Sequence, residues 1–428
     1  MHTLEPKDVP ESRSYYRWII LAVLWLTLVL SYFDRVAIAA ALPFMSRELN
    51  LSASVAGLVT GALFLSYTLV QVPAGWITDR WGQRRFIVAA IAWWTVFSVL
   101  TGAAAGSLLA LVSVRLLMGA GEGFHPPPLW RMLSNWFGHG RRSVPLALML
   151  TALPIGPALA PKIVFPVIDA FGWRWVFFGT AIPGVLVVAA AWFLLRDTPQ
   201  HKDSTHAPTP PSPAATKPVR RPLSWPPRHV ALAFLAFFFF GFVLYGLMGW
   251  LPTYLLTYRH LDIKTVGWIA TAPYLAGTVG LLAGAWVCQR YFNTRRRWFI
   301  AATYVLTAVC IAAVPATGSV TVAGIALTLS GFFLYAGLGP FWSVPMDLVS
   351  PAEVGTWLGF INMGTQLSGF LGPLFIGWLI QTTGSFNPAL IAMVVSMLLA
   401  AVILASIRDQ KRAHRTSTPQ PEALGAIR

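Results

Sequence analysis

Gly75-Trp76-Ile77-Thr78-Asp79-Arg80-Trp81-Gly82-Gln83-Arg84-Arg85 is a short charged turn set between two long apolar runs. One run begins near Ser52 and the other near Phe86. An α-helix needs ~20 apolar residues to cross the ~30 Å hydrocarbon core of a bilayer. Charged side chains are costly in that core, so the stretch reads as a tight connection at one membrane surface. Gly75 permits close helix approach, Asp79 can pair across the turn at Gly82, and Arg84 and Arg85 hold the turn at the surface.

Ten further apolar runs begin near Arg17, Leu108, Val144, Arg174, Val230, Val266, Trp298, Val320, Trp357 and Asn387. The chain is therefore expected to be an all-α membrane protein of twelve transmembrane helices in two six-helix bundles. Composition agrees. Of 428 residues, 56% are hydrophobic and 11% charged, and the mean hydropathy is +0.64. A soluble domain carries roughly a quarter charged residues, and 13% aromatics exclude a disordered chain. Cys288 and Cys310 lie inside apolar runs and read as small core residues, which leaves no disulfide framework and no cysteine metal site. The first run is too long for a cleavable leader, and no small-residue cleavage site precedes Asp34.

The net charge of +16 is explained by where the charges fall. With a cytoplasmic N-terminus, 23 of the 31 Lys and Arg lie on the inner side, four lie on the outer side, and Arg35, Arg115, Arg131 and Lys162 lie inside spans. This is the positive-inside bias, so the basic balance calls for no nucleic acid. Both termini are then cytoplasmic. A stretch with eight prolines between Arg196 and His229 separates the halves. The expected organisation is an N-terminal segment 1–16, a bundle 17–196, a cytoplasmic linker 197–228, a second bundle 229–407 and a cytoplasmic tail 408–428. The halves repeat. Leu42-Pro43 precedes a loop and then Gly57, 23 residues before Arg80; Leu251-Pro252 precedes a loop and then Gly267, 23 residues before Arg290. Two related six-helix halves with a site at their interface form a known transporter architecture.

The turn at Gly75–Arg85 resembles the signature of the major facilitator superfamily, with Gly75, Asp79, Arg80, Gly82 and Arg84 as a gating motif. The second copy has Gln289 where an acid is common. Further segments resemble the anion:cation symporter branch, which includes bacterial sugar-acid and aromatic-acid transporters. They are Tyr32-Phe33-Asp34-Arg35, Arg115 to Gly123 with Gly119, Gly121 and Glu122, Phe171-Gly172-Trp173-Arg174, Trp250-Leu251-Pro252-Thr253-Tyr254, and Gly359 to Gly364 with Asn362. The family often has Glu-Arg after the fourth span, where this chain has Arg141-Arg142. The resemblance implies transport of an organic anion, commonly with protons, by a protein that is usually a monomer.

Ionisable groups inside spans mark function by default. Asp34 and Arg35 are expected about eight residues, ~12 Å, inside the outer end of the first span. Arg115 sits at a similar depth in the fourth, and Glu122 two turns deeper on the same face. Arg35 or Arg115 is suited to grip a carboxylate bidentately. Asp34 and Glu122 are candidate proton sites, and the resemblance assigns the matching acids to protons and the matching arginines to substrate or coupling. His125 is either a proton relay or a structural histidine satisfied by a carbonyl freed at Pro126-Pro127-Pro128. Lys162 either faces the cavity, which favours a substrate with more than one anionic group, or snorkels outward toward Asp169. Arg131 is expected to snorkel to the inner surface. Tyr67, Tyr245 and Asn362 are candidate neutral substrate contacts.

The leading expectation is a secondary transporter that takes up an organic carboxylate with protons in a bacterial inner membrane, using the proton gradient and no cofactor. An organic phosphate exchanger, a proton-driven efflux transporter and a membrane anion sensor are the alternatives. The chain shows no nucleotide loop, metal-ligand cluster or nucleophile triad, which speaks against an enzyme.

Overall fold

The computed structural model describes residues 11–137, 143–198, 226–349 and 353–407. In the first half, α1 (Glu11–Glu48), α2 (Ala53–Trp81) and α3 (Gln83–Ala103) are single long helices. They are followed by α4 (Leu108–Phe124) with α5 (Pro126–Trp136), α6 (Ser143–Leu150) with α7 (Ala152–Phe171), and α8 (Trp173–Gly179) with α9 (Ala181–Leu194). The second half has α10 (Arg228–Thr253) continued by a π-helical turn at Tyr254–Tyr258, then α11 (Ile263–Tyr291) and α12 (Arg296–Ala316). It closes with α13 (Val320–Ala336) and α14 (Leu338–Leu348), α15 (Val354–Thr383) and α16 (Asn387–Ser406). Among the described residues, twelve such segments are long and apolar enough to cross a membrane, and each starts within three residues of the point expected from the sequence.

The repeat is visible in the helices. α2 and α11 are both 29 residues long. Each starts at a side-chain cap, where Ser52 accepts from the Val55 amide and Asp262 from the Thr265 amide. The Thr265 side chain and amide together hold the Asp262 carboxyl below its ordinary range. α4 and α13 match in the same way, with Ser107 and Ser319 as caps. One expectation is corrected. Leu42-Pro43 does not end the first helix, which runs on to Glu48 with Pro43 inside it. Proline removes one donor, and a membrane helix packed by neighbours tolerates that loss; Met45, just beyond, is completely buried. The helix end is fixed where Trp173 Nε1 and Arg174 Nη1 both donate to the Glu48 carboxylate, at 2.7 and 2.6 Å.

An even number of spans puts both termini on one side. The halves meet through α2 against α15, α7 against α11 and α1 against α10. The closest approaches lie away from the termini. A Cβ at Gly57 would strike the Pro373 carbonyl, one at Gly61 would come 2.7 Å from the Phe370 oxygen, and one at Gly377 would strike the Ala53 carbonyl. The Ser54 amide donates to Gln381 Oε1 at 3.1 Å, and Thr271 Oγ1 to the Ala158 carbonyl at 3.1 Å. Small residues thus let backbones touch where lipid supplies no hydrophobic driving force between helices.

Candidate functional site

Thr27, Ser31 and Arg35 recur every four residues on α1 and so share one face. That face meets the end of α4. Glycines make the meeting possible. A Cβ at Gly119 would strike the Leu63 carbonyl, and one at Gly123 would come 2.7 Å from the Tyr67 oxygen, so α4 lies close against α2. A side chain at Gly121 would strike Trp93 of α3. With α4 held there, Glu122 points at α1.

Glu122 Oε2 accepts three donors: Arg35 Nε at 2.9 Å, Arg35 Nη2 at 2.8 Å and Ser31 Oγ at 2.9 Å. Arg35 Nη1 and Glu122 Oε1 have no hydrogen-bond partner among the described residues. The pair is closed off from solvent, with Glu122 1% and Arg35 5% exposed. Aromatic rings surround the guanidinium, whose carbon lies 4.7 Å from the centroid of Tyr32, 5.1 Å from Tyr67 and 5.3 Å from Phe64. A cation so placed is held by ring quadrupoles as well as by its carboxylate.

Asp34 and Arg115 form a second layer on the other side of α1. Both are buried, at 3% and 1% exposure. Arg115 Nη1 donates to Met118 Sδ at 3.2 Å, while Arg115 Nε and Asp34 Oδ1 are unpartnered. Asp34, Glu122 and Arg35 are the charges within reach of Arg115. Among the described residues, these two acids and two arginines are the buried charged side chains, and all four belong to the first half. The arrangement offers one guanidinium nitrogen to an anion and one carboxylate oxygen to a proton, beside an acid and a base held in reserve.

His125 is the joint between α4 and α5, just before the three prolines. Its Nε2 is 2.9 Å from Thr27 Oγ1, and Thr27 donates its own proton to the Leu24 carbonyl at 2.7 Å. The histidine Nε2 must then be the donor to Thr27. Its ring stands edge-on to Trp94. These contacts suit the structural reading of His125, and none of them reaches Glu122.

Lys162 lies apart from the cluster. Its Nζ sits over the ring of Trp268 across the boundary between the halves, rather than beside Asp169. Trp268 is 69% exposed, so the pair is on the outer face of the bundle. Tyr67 is buried beside Arg35. Tyr245 of α10 is buried, donates to Gln366 Oε1 at 3.3 Å and packs on Phe64 with ring centroids 4.3 Å apart. Asn362 is half-buried on α15, four residues before Gln366. Arg131 is exposed.

In the gating motif, Gly82 takes φ 79°, a left-handed conformation that makes the one-residue turn from α2 to α3 and favours glycine. The Arg84 amide donates to Asp197 Oδ1 at 2.6 Å, so a residue past α9 caps α3. The Arg84 side chain bonds the Trp192 carbonyl and stacks on its ring. The side chains of Gly75, Asp79 and Arg80, and all of Arg141 and Arg142, lie outside the described residues.

Sequence reasoning missed Ser31, Thr27, Gln366 and Asp197. Three of these carried a signal. Thr27, Ser31 and Arg35 are a polar stripe in an apolar span, and Gln366 lies one turn from Asn362. The described residues contain no group of three or more His, Cys, Asp or Glu that could hold a metal.

Comparison with known proteins agrees with this architecture. The family model of the Major Facilitator Superfamily matches residues 24–373 and 264–428. The hexuronate transporter of Bacillus subtilis (strain 168) is 30% identical over 386 residues, covering 86% of this chain and 89% of that protein. A probable sulfoacetate transporter of Cupriavidus necator is 31% identical over 415 residues, covering 91% of this chain and 93% of that protein. A crystal structure of a bacterial homologue of the human lysosomal transporter Spinster superposes with a TM-score of 0.69 at 21% identity, covering 91% of this chain and 95% of that one, which establishes the likeness of fold. The chain belongs to the Major Facilitator Superfamily, and it is a multi-pass inner-membrane transporter rather than an enzyme.

Proposed function

We propose that the protein imports an organic carboxylate anion together with protons by alternating access of its two bundles. The observation that carries this reading is the buried Arg35–Glu122 pair, in which one guanidinium nitrogen and one carboxylate oxygen have no partner. Glu122 and a substrate carboxylate compete for the same guanidinium. With Glu122 ionised, Arg35 is already neutralised. A proton on Oε1 removes the charge of Glu122, yet Oε2 can still accept from Ser31. Arg35 is then a cation without a counter-ion, and a substrate carboxylate restores the balance. Proton and anion thus favour each other at one site, which is what symport requires.

Sidedness follows from charge. The positive-inside bias places both termini in the cytoplasm. The seam at Gly57, Gly61 and Gly377 then closes the outer side, and this structure is the inward-facing arm of the cycle. The energy comes from the proton gradient, with no cofactor, and the working unit is a monomer. The names of the two relatives, a hexuronate and a sulfoacetate transporter, support an organic acid as cargo.

The test is uptake of labelled glucuronate into proteoliposomes. Uptake should rise with an inward proton gradient and fall to background in Arg35→Lys, since a point charge cannot hold both Glu122 oxygen and substrate in a planar fork. Uptake of no carboxylate by the wild type, or unchanged uptake by Arg35→Lys, would refute the assignment.

A further inference from the structure

The two walls of the central region differ in charge. The wall of the first half holds two acids and two arginines, which cancel when all are ionised. The facing wall, from α10 and α15, is buried and polar but uncharged: Tyr245 and Gln366 join through a hydrogen bond of 3.3 Å. Tyr245 rests on Phe64, which in turn lies under Arg35, so the phenol and amide stand directly across from the unpartnered nitrogen of Arg35. Because the Tyr245 hydroxyl donates to Gln366 Oε1, the Gln366 amide protons remain free to donate and the phenol oxygen to accept.

The other cations face elsewhere. Arg115 is turned toward Met118 of its own helix and toward Asp34, with no group of the second half among its charged neighbours. Lys162 lies over the exposed ring of Trp268.

We infer that the site is built for anions carrying a single negative charge on an otherwise neutral, hydroxylated body, with Gln366 and Tyr245 as the residues that set this specificity. This rests on the proposed function. One carboxylate is neutralised by Arg35, while a hydroxyl at the other end of the molecule meets the Gln366–Tyr245 pair. A second carboxylate would meet the same pair and lose its hydration with no counter-ion, which is costly for any buried charge. The relatives' names leave this point open, because hexuronate carries one charge and sulfoacetate two.

The experiment uses matched substrates at pH 7 in proteoliposomes. Gluconate and glucarate differ only in having CH2OH or a carboxylate at the sixth carbon, and galactonate and galactarate form a second such pair. Sulfoacetate adds a short dianion. Each monoanion is expected to exceed its dianion in kcat/KM by at least about tenfold, the least an uncompensated buried charge should cost. Gln366→Lys supplies the missing cation and should move that ratio toward the dianion by about tenfold, a shift that a merely structural role would not produce. If the wild type carries glucarate or sulfoacetate within threefold of gluconate, the inference is overturned while the organic-anion reading stands. If Gln366→Lys folds and transports with an unchanged ratio, the role given to Gln366 is overturned. If the wild type carries none of these anions and no glucuronate, the underlying reading fails and takes the inference with it.

Discussion

Replacing Glu122 by leucine leaves the Arg35 guanidinium buried with no counter-ion beside it. Two guanidinium bonds and the Ser31 bond all end on one oxygen, Oε2. Removing one partner of a buried ion pair costs about 3–5 kcal/mol. Glutamine is a different perturbation. Its carbonyl can take the place of Oε2 and accept all three donors, and its amide group takes the place of Oε1, which has no partner. Glu122→Gln therefore imitates the acid protonated on Oε1 and should cost only about 1 kcal/mol, the difference between a charge-assisted and a neutral hydrogen bond. The double variant Arg35→Met with Glu122→Leu removes both charges, so its loss should fall short of the sum of the single losses by about 3 kcal/mol. Reversible denaturant unfolding of the purified protein in micelles measures all four. A Glu122→Gln loss as large as that of Glu122→Leu, or additive single losses, would refute the pairing.

Three further outcomes follow from the packing. Gly57→Val pushes a side chain into the Pro373 carbonyl, so the outer seam should open and a cysteine at position 54 should label faster from outside than in the parent protein. Lys162→Gln should leave the KM for a transported anion within about twofold, as expected for a side chain away from the cluster, and a tenfold rise would place Lys162 in the site. Asp197→Ala removes the cap on α3 and should lower unfolding stability by about 1 kcal/mol with little change in KM, whereas no loss would show that the contact contributes nothing.

The span pattern was legible because a bilayer imposes a fixed length on apolar runs, and the segments start within three residues of the expected points. The Pro43 boundary was not, since proline ends helices in water more reliably than in a bundle. Asp34, Arg35, Arg115 and Glu122 were legible as intramembrane charges. Their pairing was not. Depth counted along the chain set Arg35 level with Arg115, but the tilt of α1 across α4 brings it to Glu122. Lys162 shows why depth alone falls short. Both lipid and core are apolar, so the sequence of α7, with Pro157, Pro161 and Pro166 inside it, carries little sign of which way each side chain turns. Ser31 and Thr27 look like ordinary small polar residues until α4 supplies Glu122 and His125 opposite them.

The central claim is that protonation of Glu122 and anion binding at Arg35 are one coupled event. The most direct measurement is proton influx into proteoliposomes holding a trapped pH dye, recorded as a transported sugar acid is added, for the wild type and for Glu122→Gln. The wild type should acidify the lumen. The variant, locked in the proton-loaded form, should still exchange labelled anion across the membrane but move no protons. Proton influx through Glu122→Gln at the wild-type rate, or anion transport by the wild type with no proton movement, would contradict the account.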